Sequence, residues 1–284
     1  MLYPPLRLSA LVLAGRSRAC PLKEAVKSEA NQRRQLELKD EILHASKLVA
    51  SDEHFERWQT PMGTYWIPSG SRYVLPFNLA EQKRKIYGEG EHFVQPGDVV
   101  LDCGANVGVF VRSSLAAGAA KVIAIEPAPE NIEALRRNFP EEINAGRVVV
   151  YPKGVWDKDD FLTLNVDEHN SAADSFVIHR EGSTASGERL PLTTIDKLVA
   201  ELDLPKVDFI KMDIEGAEPK ALTGAAQTIR KYHPRLAISV YHVSDHPVTV
   251  PRVIAQAWSG YGSKCGPCQV TSDARVRPEI LYFY

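Results

Sequence analysis

Cysteine is scarce in this 284-residue chain, with four in all, and the net charge is only −2. Cys20, Cys103, Cys265 and Cys268 are too few to hold together a secreted scaffold of this length, so the expected setting is a reducing cytoplasm. A charge balance near zero leaves no electrostatic footprint for nucleic acid. No apolar run reaches the length of a membrane span. Residues 8–14 are briefly apolar, but a single cation precedes them and arginines follow, which reads as a frayed or docked N-terminus and not a signal peptide. Internal repeats are absent, and no linker is long enough to set off a free-standing second domain. The expected partner is a small molecule, with homo-oligomerisation left open. At this length the expectation is one core with an N-terminal elaboration. Cys265 and Cys268 enclose Gly266 and Pro267 as a CxxC, yet the strand-to-helix context of a redox site and the further nearby ligands of a zinc site are missing. A plain turn is expected there.

What the chain does have is concentrated in residues 99–127. Residues 99–101 are apolar enough for a strand buried on both faces, and the turn DCGANVG follows at residues 102–108. Val107, Phe110, Val111, Ser114 and Leu115 then recur at helical spacing, with Asn106 as the expected cap. A second buried strand, residues 122–125, ends in Glu126. Gly104 and Gly108 would let a ligand approach the backbone, and an acid at the end of the second strand can accept both hydroxyls of a ribose. A dinucleotide enzyme would want GxGxxG to seat a pyrophosphate, and here the third glycine is missing. Asp102 would repel a pyrophosphate and attract an ammonium. The ligand that suits a ribose acid and an amino-acid carboxylate without a phosphate site is S-adenosylmethionine.

The flanking chain is less distinctive. Residues 23–58 are charge-rich with scattered Leu36, Leu38, Ile42 and Leu43, read as one or two amphipathic helices. Residues 64–67 and 73–75 flank a Pro-Ser-Gly turn and suggest a hairpin, with a short helix over 78–87. Pro129 opens a helix whose inner stripe is Ile132, Leu135 and Phe139. Residues 147–151 form the third strand, followed by Gly154 and Trp156 at the level of an adenine edge. Residues 161–166 and 190–192 read as an accessory hairpin, and the Ser-rich stretch 168–187 between them as a candidate lid. A helix over 193–202 and a strand over 207–212 lead to KMDIEGAE, which crowds Asp213, Glu215 and Glu218 at a strand end. Such carboxylates repel one another unless they meet a cation or a hydroxyl proton. A further strand, 236–241, delivers His242, Asp245 and His246 to the same carboxyl edge, where open parallel sheets bind ligands.

VVLDCGANVG, AIEP and above all DFIKMDIEGAE resemble the FkbM-type S-adenosylmethionine-dependent methyltransferases, from about Tyr87 to the C-terminus. The resemblance implies an α/β, doubly wound Rossmann-like seven-stranded sheet of the class I methyltransferase type, with a last antiparallel strand over 280–284. It divides the chain into a helical and hairpin elaboration over 1–72 and a methyltransferase domain over 73–284. It implies methyl transfer to a hydroxyl of a sugar, glycolipid or natural product. Cofactor binding falls to Asp102, Gly104, Asn106, Gly108, Glu126 and Asp213, with Gly154 alongside from the strand-end reading. For catalysis, Asp213, Glu215 and His242 are the candidates, His242 as the base. A divalent cation such as magnesium, held by Asp213, Glu215 and Asp245, is the other way to lower a hydroxyl's pKa. An NAD-dependent oxidoreductase and a non-catalytic S-adenosylmethionine-binding protein are the competing readings.

Overall fold

The computed structural model describes residues 4–17, 19–166, 175–178, 184–271 and 274–284. The chain opens with α1 (Pro4–Leu13), α2 (Leu22–Ala25) and α3 (Ser28–Ala45), then β1 (Lys47–Ser51), β2 (Phe55–Thr60), β3 (Gly63–Pro68) and α4 (Val74–Lys83). The central part alternates β4 (Val99–Cys103), α5 (Val109–Ala116), β5 (Lys121–Ile125), α6 (Pro129–Asn138), α7 (Pro140–Asn144) and β6 (Val148–Tyr151). An accessory group follows: β7 (Gly154–Val155), β8 (Asp160–Val166) and β9 (Thr184–Thr193). The rest comprises α8 (Ile195–Glu201), β10 (Phe209–Met212), α9 (Glu218–Thr223), α10 (Ala226–Tyr232), β11 (Arg235–Ser239), α11 (His246–Ala257), β12 (Ser263–Cys265), β13 (Cys268–Val270), β14 (Val276–Pro278) and β15 (Ile280–Phe283).

Seven strands form the central sheet in the order β12-β15-β11-β10-β4-β5-β6. β15 runs antiparallel to β11 and to β12, while the β11-β10-β4-β5-β6 ladder is parallel. Helices cover both faces, so the inner strands are apolar throughout: Val99, Val100, Leu101, Val122, Ile123, Phe209, Ile210 and Leu236 are all buried. The chain builds outward from β4 through β5 to β6, then returns to β10 and builds the other way. The strand order therefore reverses between β4 and β10, where the carboxyl ends of parallel strands leave a crevice.

The N-terminal elements differ from the sequence expectation. Residues 73–75 are not a strand: Val74 and Leu75 begin α4, and Leu75, Leu79 and Ala80 pack on Leu38 and Ile42 of α3, Tyr65 and Ile67 of β3, and Val107 and Val109 at the start of α5. The helix accordingly spans 74–83 and not 78–87. The hairpin pairs β2 with β3, and residues 47–60 are strands and not helix, because the β-branched and aromatic residues there find cross-strand partners, such as Trp58 opposite Tyr65. Asn138 of α6 ties this hairpin to the main fold, accepting from the Trp66 N–H at 2.6 Å and donating to the carbonyls of Trp66 and Val107 at 2.9 Å. α1 is docked through the buried Leu8, and Cys20 forms a disulfide with Cys268 that joins the two ends of the chain. Scarcity of cysteine had suggested thiols only; two distant residues brought together by the fold make a bond that spacing does not reveal. Among the described residues no helix is long and apolar enough to cross a membrane. The expected lid over 168–187 falls largely outside the described residues, though Ser175, Phe176, Val177 and Ile178 are placed and residues 184–187 belong to β9.

Candidate active site

Parallel registry first fixes a buried ion pair. Lys211 lies directly opposite Asp102 in the β10–β4 ladder, and its Nζ is 3.1 Å from Asp102 Oδ1 with both side chains almost fully enclosed. Lys211 also donates to the carbonyl oxygen of Gly104 at 2.7 Å. Burial raises the Asp102 carboxyl and the lysine's positive charge opposes that shift. Asp102 lines neither of the cavities described below, so its carboxylate is spent on Lys211 and is not offered to a ligand's ammonium.

The glycine turn is also built against protein. Gly104 has φ +79°, and a Cβ there would lie 2.0 Å from the Asp213 carbonyl oxygen. Gly108, at φ +89°, would overlap the Phe139 ring at 2.2 Å, and Gly108 is absent from both cavity walls. These glycines let the ends of β4 and β10 meet and let α5 and α6 close together. Gly108 precedes α5 with no side-chain cap, while Asn106 sits at φ +48° in the turn and points its N–H at Glu126. Gly104→Ala is therefore expected to destabilise the fold by about 2 kcal/mol or more, from the overlap added to the left-handed backbone. A denaturant midpoint unchanged from the parent would contradict that packing argument.

Two cavities meet at this turn. The smaller, about 60 Å³, is walled by Glu126, Ile125, Gly154, Leu164 and Phe176 among others. Glu126 accepts from the Asn106 N–H at 2.8 Å and from the Ala128 N–H at 3.0 Å, with Asn131 Nδ2 at 3.5 Å. Burial pushes its carboxyl up to about 7 against these hydrogen bonds. The larger cavity, about 410 Å³, lies between α4 and the sheet edge, with Phe77, Glu81, Tyr87, Lys211 and Tyr241 among its lining residues. Gly104, Asn106, Asp213 and Glu215 line both, so the two spaces share one threshold.

At that threshold the acids of KMDIEGAE gather round His242. The imidazole Nε2 is 3.3 Å from Asp213 Oδ1 and 3.2 Å from Glu215 Oε1, and Nδ1 is 2.9 Å from Glu218 Oε1. Glu218, fully buried, also faces His246 Nδ1 at 3.2 Å. Burial alone would lower the His242 pKa, but the charges of Glu218 and Glu215 outweigh it and raise the ring well above its ordinary value. The surrounding carboxylates therefore favour the protonated ring. His242 also lines the larger cavity, but its side chain is 2% exposed, against 16% for Asp213 and 14% for Glu215, so the carboxylates are the more accessible groups. The Tyr87 hydroxyl donates to Asp213 Oδ2 at 2.6 Å. Glu215 has φ +54°, an uncommon backbone for a residue with a side chain, and the Ser175 hydroxyl holds its carbonyl at 2.6 Å.

Sequence reasoning thus placed Gly104, Asn106, Glu126, Gly154, Asp213, Glu215 and His242 around the crevice. Asp245 is different: it is exposed ahead of α11, and among the described residues it is not part of the Asp213, Glu215, His242 group whose ligand atoms lie within 4.8 Å of one another. The group that could hold an ion is therefore Asp213, Glu215 and His242, with the histidine in the place expected of Asp245. Trp156 lines neither cavity; Phe176 is the ring beside Gly154. Glu81, Tyr87, Phe77 and Lys211 were missed. Lys211 carried a readable signal, a lone lysine within an otherwise apolar strand. Nothing in α4 announced which of its side chains would reach the site.

Residues 102–257 match the Methyltransferase FkbM domain. The chain belongs to this family. Among curated relatives, the 31-O-demethyl-FK506 methyltransferase FkbM of Streptomyces tacrolimicus is 26% identical over 57% of this chain and 71% of its own length. The hexuronic acid methyltransferase AglP of Haloferax volcanii is 25% identical over 56% of this chain and 62% of its own. The crystal structure of a methyltransferase FkbM from Methylobacillus flagellatus KT shares the fold, with a TM-score of 0.50 at 19% identity, covering 90% of this chain and 60% of that one. This chain is a methyltransferase by family, and its doubly wound sheet is the one expected from its sequence.

Proposed function

We propose that this FkbM-family chain transfers a methyl group from S-adenosylmethionine to a hydroxyl of a small molecule, in the class of sugars, glycolipids or natural products, and that it works in the cytoplasm. The observation that carries this reading is the shared threshold: Glu126, a ribose-type acid, lines the smaller cavity, and the Asp213 and Glu215 carboxylates stand with Gly104 and Asn106 where it meets the larger one. A carboxylate has about four lone-pair directions; the Asn106 and Ala128 N–H groups take two, and the Asn131 amide stands off at 3.5 Å, which leaves capacity for the two hydroxyls of a ribose. Phe176 and Gly154 would flank the base. S-adenosylmethionine, when bound, supplies a methyl on a positively charged sulfur. The chain's own part is to align an acceptor and take its proton.

Asp213 and Glu215 suit that second task. Both line the larger cavity and are more exposed than His242, whose ring is shared among three acids. We therefore assign proton acceptance to the carboxylate pair and positioning to His242, in place of His242 as the direct base. The 31-O-demethyl-FK506 and hexuronic acid methyltransferases support small hydroxylated acceptors. An NAD-dependent reaction is disfavoured because Phe139 fills the space at Gly108 and no third glycine follows.

Calorimetry tests the cofactor reading: low-micromolar or tighter binding of S-adenosylmethionine is expected, with no heat from NAD. Micromolar NAD binding without the other would overturn it. Glu126→Ala should weaken S-adenosylmethionine binding by about 1.5–3 kcal/mol, the usual worth of hydrogen bonds to a charged group. The wild-type affinity should also decline as pH falls below about 7, because protonation removes acceptor capacity from Glu126. Glu126→Gln should flatten that pH dependence; an unchanged slope would place its origin elsewhere.

A further inference from the structure

We propose that Cys20, Cys265 and Cys268, once reduced, form the three-thiolate face of a binding site for a zinc-class metal ion, remote in function from methyl transfer. The three sulfurs come from the link between α1 and α2, the end of β12 and the start of β13. Cys265 Sγ is 3.5 Å from Cys268 Sγ and 4.0 Å from Cys20 Sγ. Three thiolates at about 2.3 Å from a tetrahedral metal stand about 3.8 Å apart. Cys265 already has that spacing to both neighbours, and reduction of the Cys20–Cys268 bond frees the other two to adopt it.

The same geometry argues against the simplest alternative, internal thiol–disulfide exchange. Cys265 is nearly equidistant from the bonded sulfurs, so it lies beside the bond and not along its axis, where a displacing thiolate must approach. Leu8, Ala25 and Val276 pack round the sulfurs, while Cys265 is only partly buried. Among the described residues no histidine or carboxylate joins the three within ligand range.

Opening the site consumes two electrons and two protons from a thiol reductant of the glutathione or thioredoxin class, giving two thiols from the disulfide. Metal binding then releases three thiol protons. The consequence is mechanical: Asn31 and Gln32 of α3 donate to the carbonyls of Cys268 and Val270, and α3 packs on α4, a wall of the larger cavity. Either the disulfide or the metal fastens this arm.

The test uses the full chain reduced with a phosphine and titrated with cobalt(II). One equivalent should produce the sulfur-to-cobalt charge-transfer and visible bands of a four-coordinate thiolate complex, and Cys20→Ser and Cys265→Ser should each weaken binding more than tenfold. In the wild-type protein, zinc should protect all three cysteines from alkylation, read by mass spectrometry, so the outcome does not depend on a variant folding. Absence of the bands, a wild-type titration in Cys20→Ser, or alkylation of Cys20 indifferent to zinc would overturn the proposal.

Discussion

Asp213→Asn and Glu215→Gln are each expected to lower turnover by about a hundredfold or more while leaving the cofactor affinity within a few-fold, as befits loss of a proton acceptor. Both changes nearly keep side-chain volume. They differ in what they remove: Asp213 accepts from Tyr87 and faces His242, whereas Glu215 is held by its strained backbone and by Ser175. The pair also separates a carboxylate mechanism from a metal one. With the carboxylates themselves accepting the proton, turnover should survive exhaustive chelation. Activity lost to a chelator and restored by magnesium would return the metal reading to these acids, and normal turnover in both variants would reduce the cluster to a helix start.

The second large effect is on stability. Lys211→Met leaves Asp102 buried without its partner and should cost about 3–5 kcal/mol, the usual penalty for breaking an enclosed ion pair from one side. Asp102→Leu combined with Lys211→Met should recover most of that loss, because the pair is then replaced by apolar side chains and no charge is stranded. Denaturant melts of the single and double variants check this. A double variant no better than Lys211→Met alone would show that the lysine's hydrogen bond to the Gly104 carbonyl, and not the ion pair, carries the stability.

The alternating apolar strands and helices made the central sheet legible, because strands buried on both faces must read as unbroken apolar runs. The acids at strand ends were legible for the same reason: Glu126, Asp213 and Glu215 stand where the apolar run stops. Their partners were not. Asp102 looked like a ligand carboxylate until registry placed Lys211 opposite it, and registry between β4 and β10 spans more than a hundred residues of sequence. His242 was legible at the same edge as the acids, but not that Asp213, Glu215 and Glu218 would all stand within 3.3 Å of its ring. The N-terminal hairpin was misplaced by one strand because charged residues in β2 masked its aromatic pairing with β3. Cys20 and Cys268, 248 residues apart, meet only after both ends of the chain have folded.

The central claim is that one crevice holds S-adenosylmethionine with its ribose on Glu126 and presents the acceptor to Asp213 and Glu215. The most direct measurement is a crystal structure of the chain with the demethylated cofactor, S-adenosylhomocysteine. The account predicts both ribose hydroxyls within hydrogen-bond distance of the Glu126 carboxylate, the base beside Phe176 and Gly154, and the sulfur turned toward the larger cavity at Asp213. A ribose seated away from Glu126, or a ligand outside the threshold of Gly104 and Asn106, would contradict it.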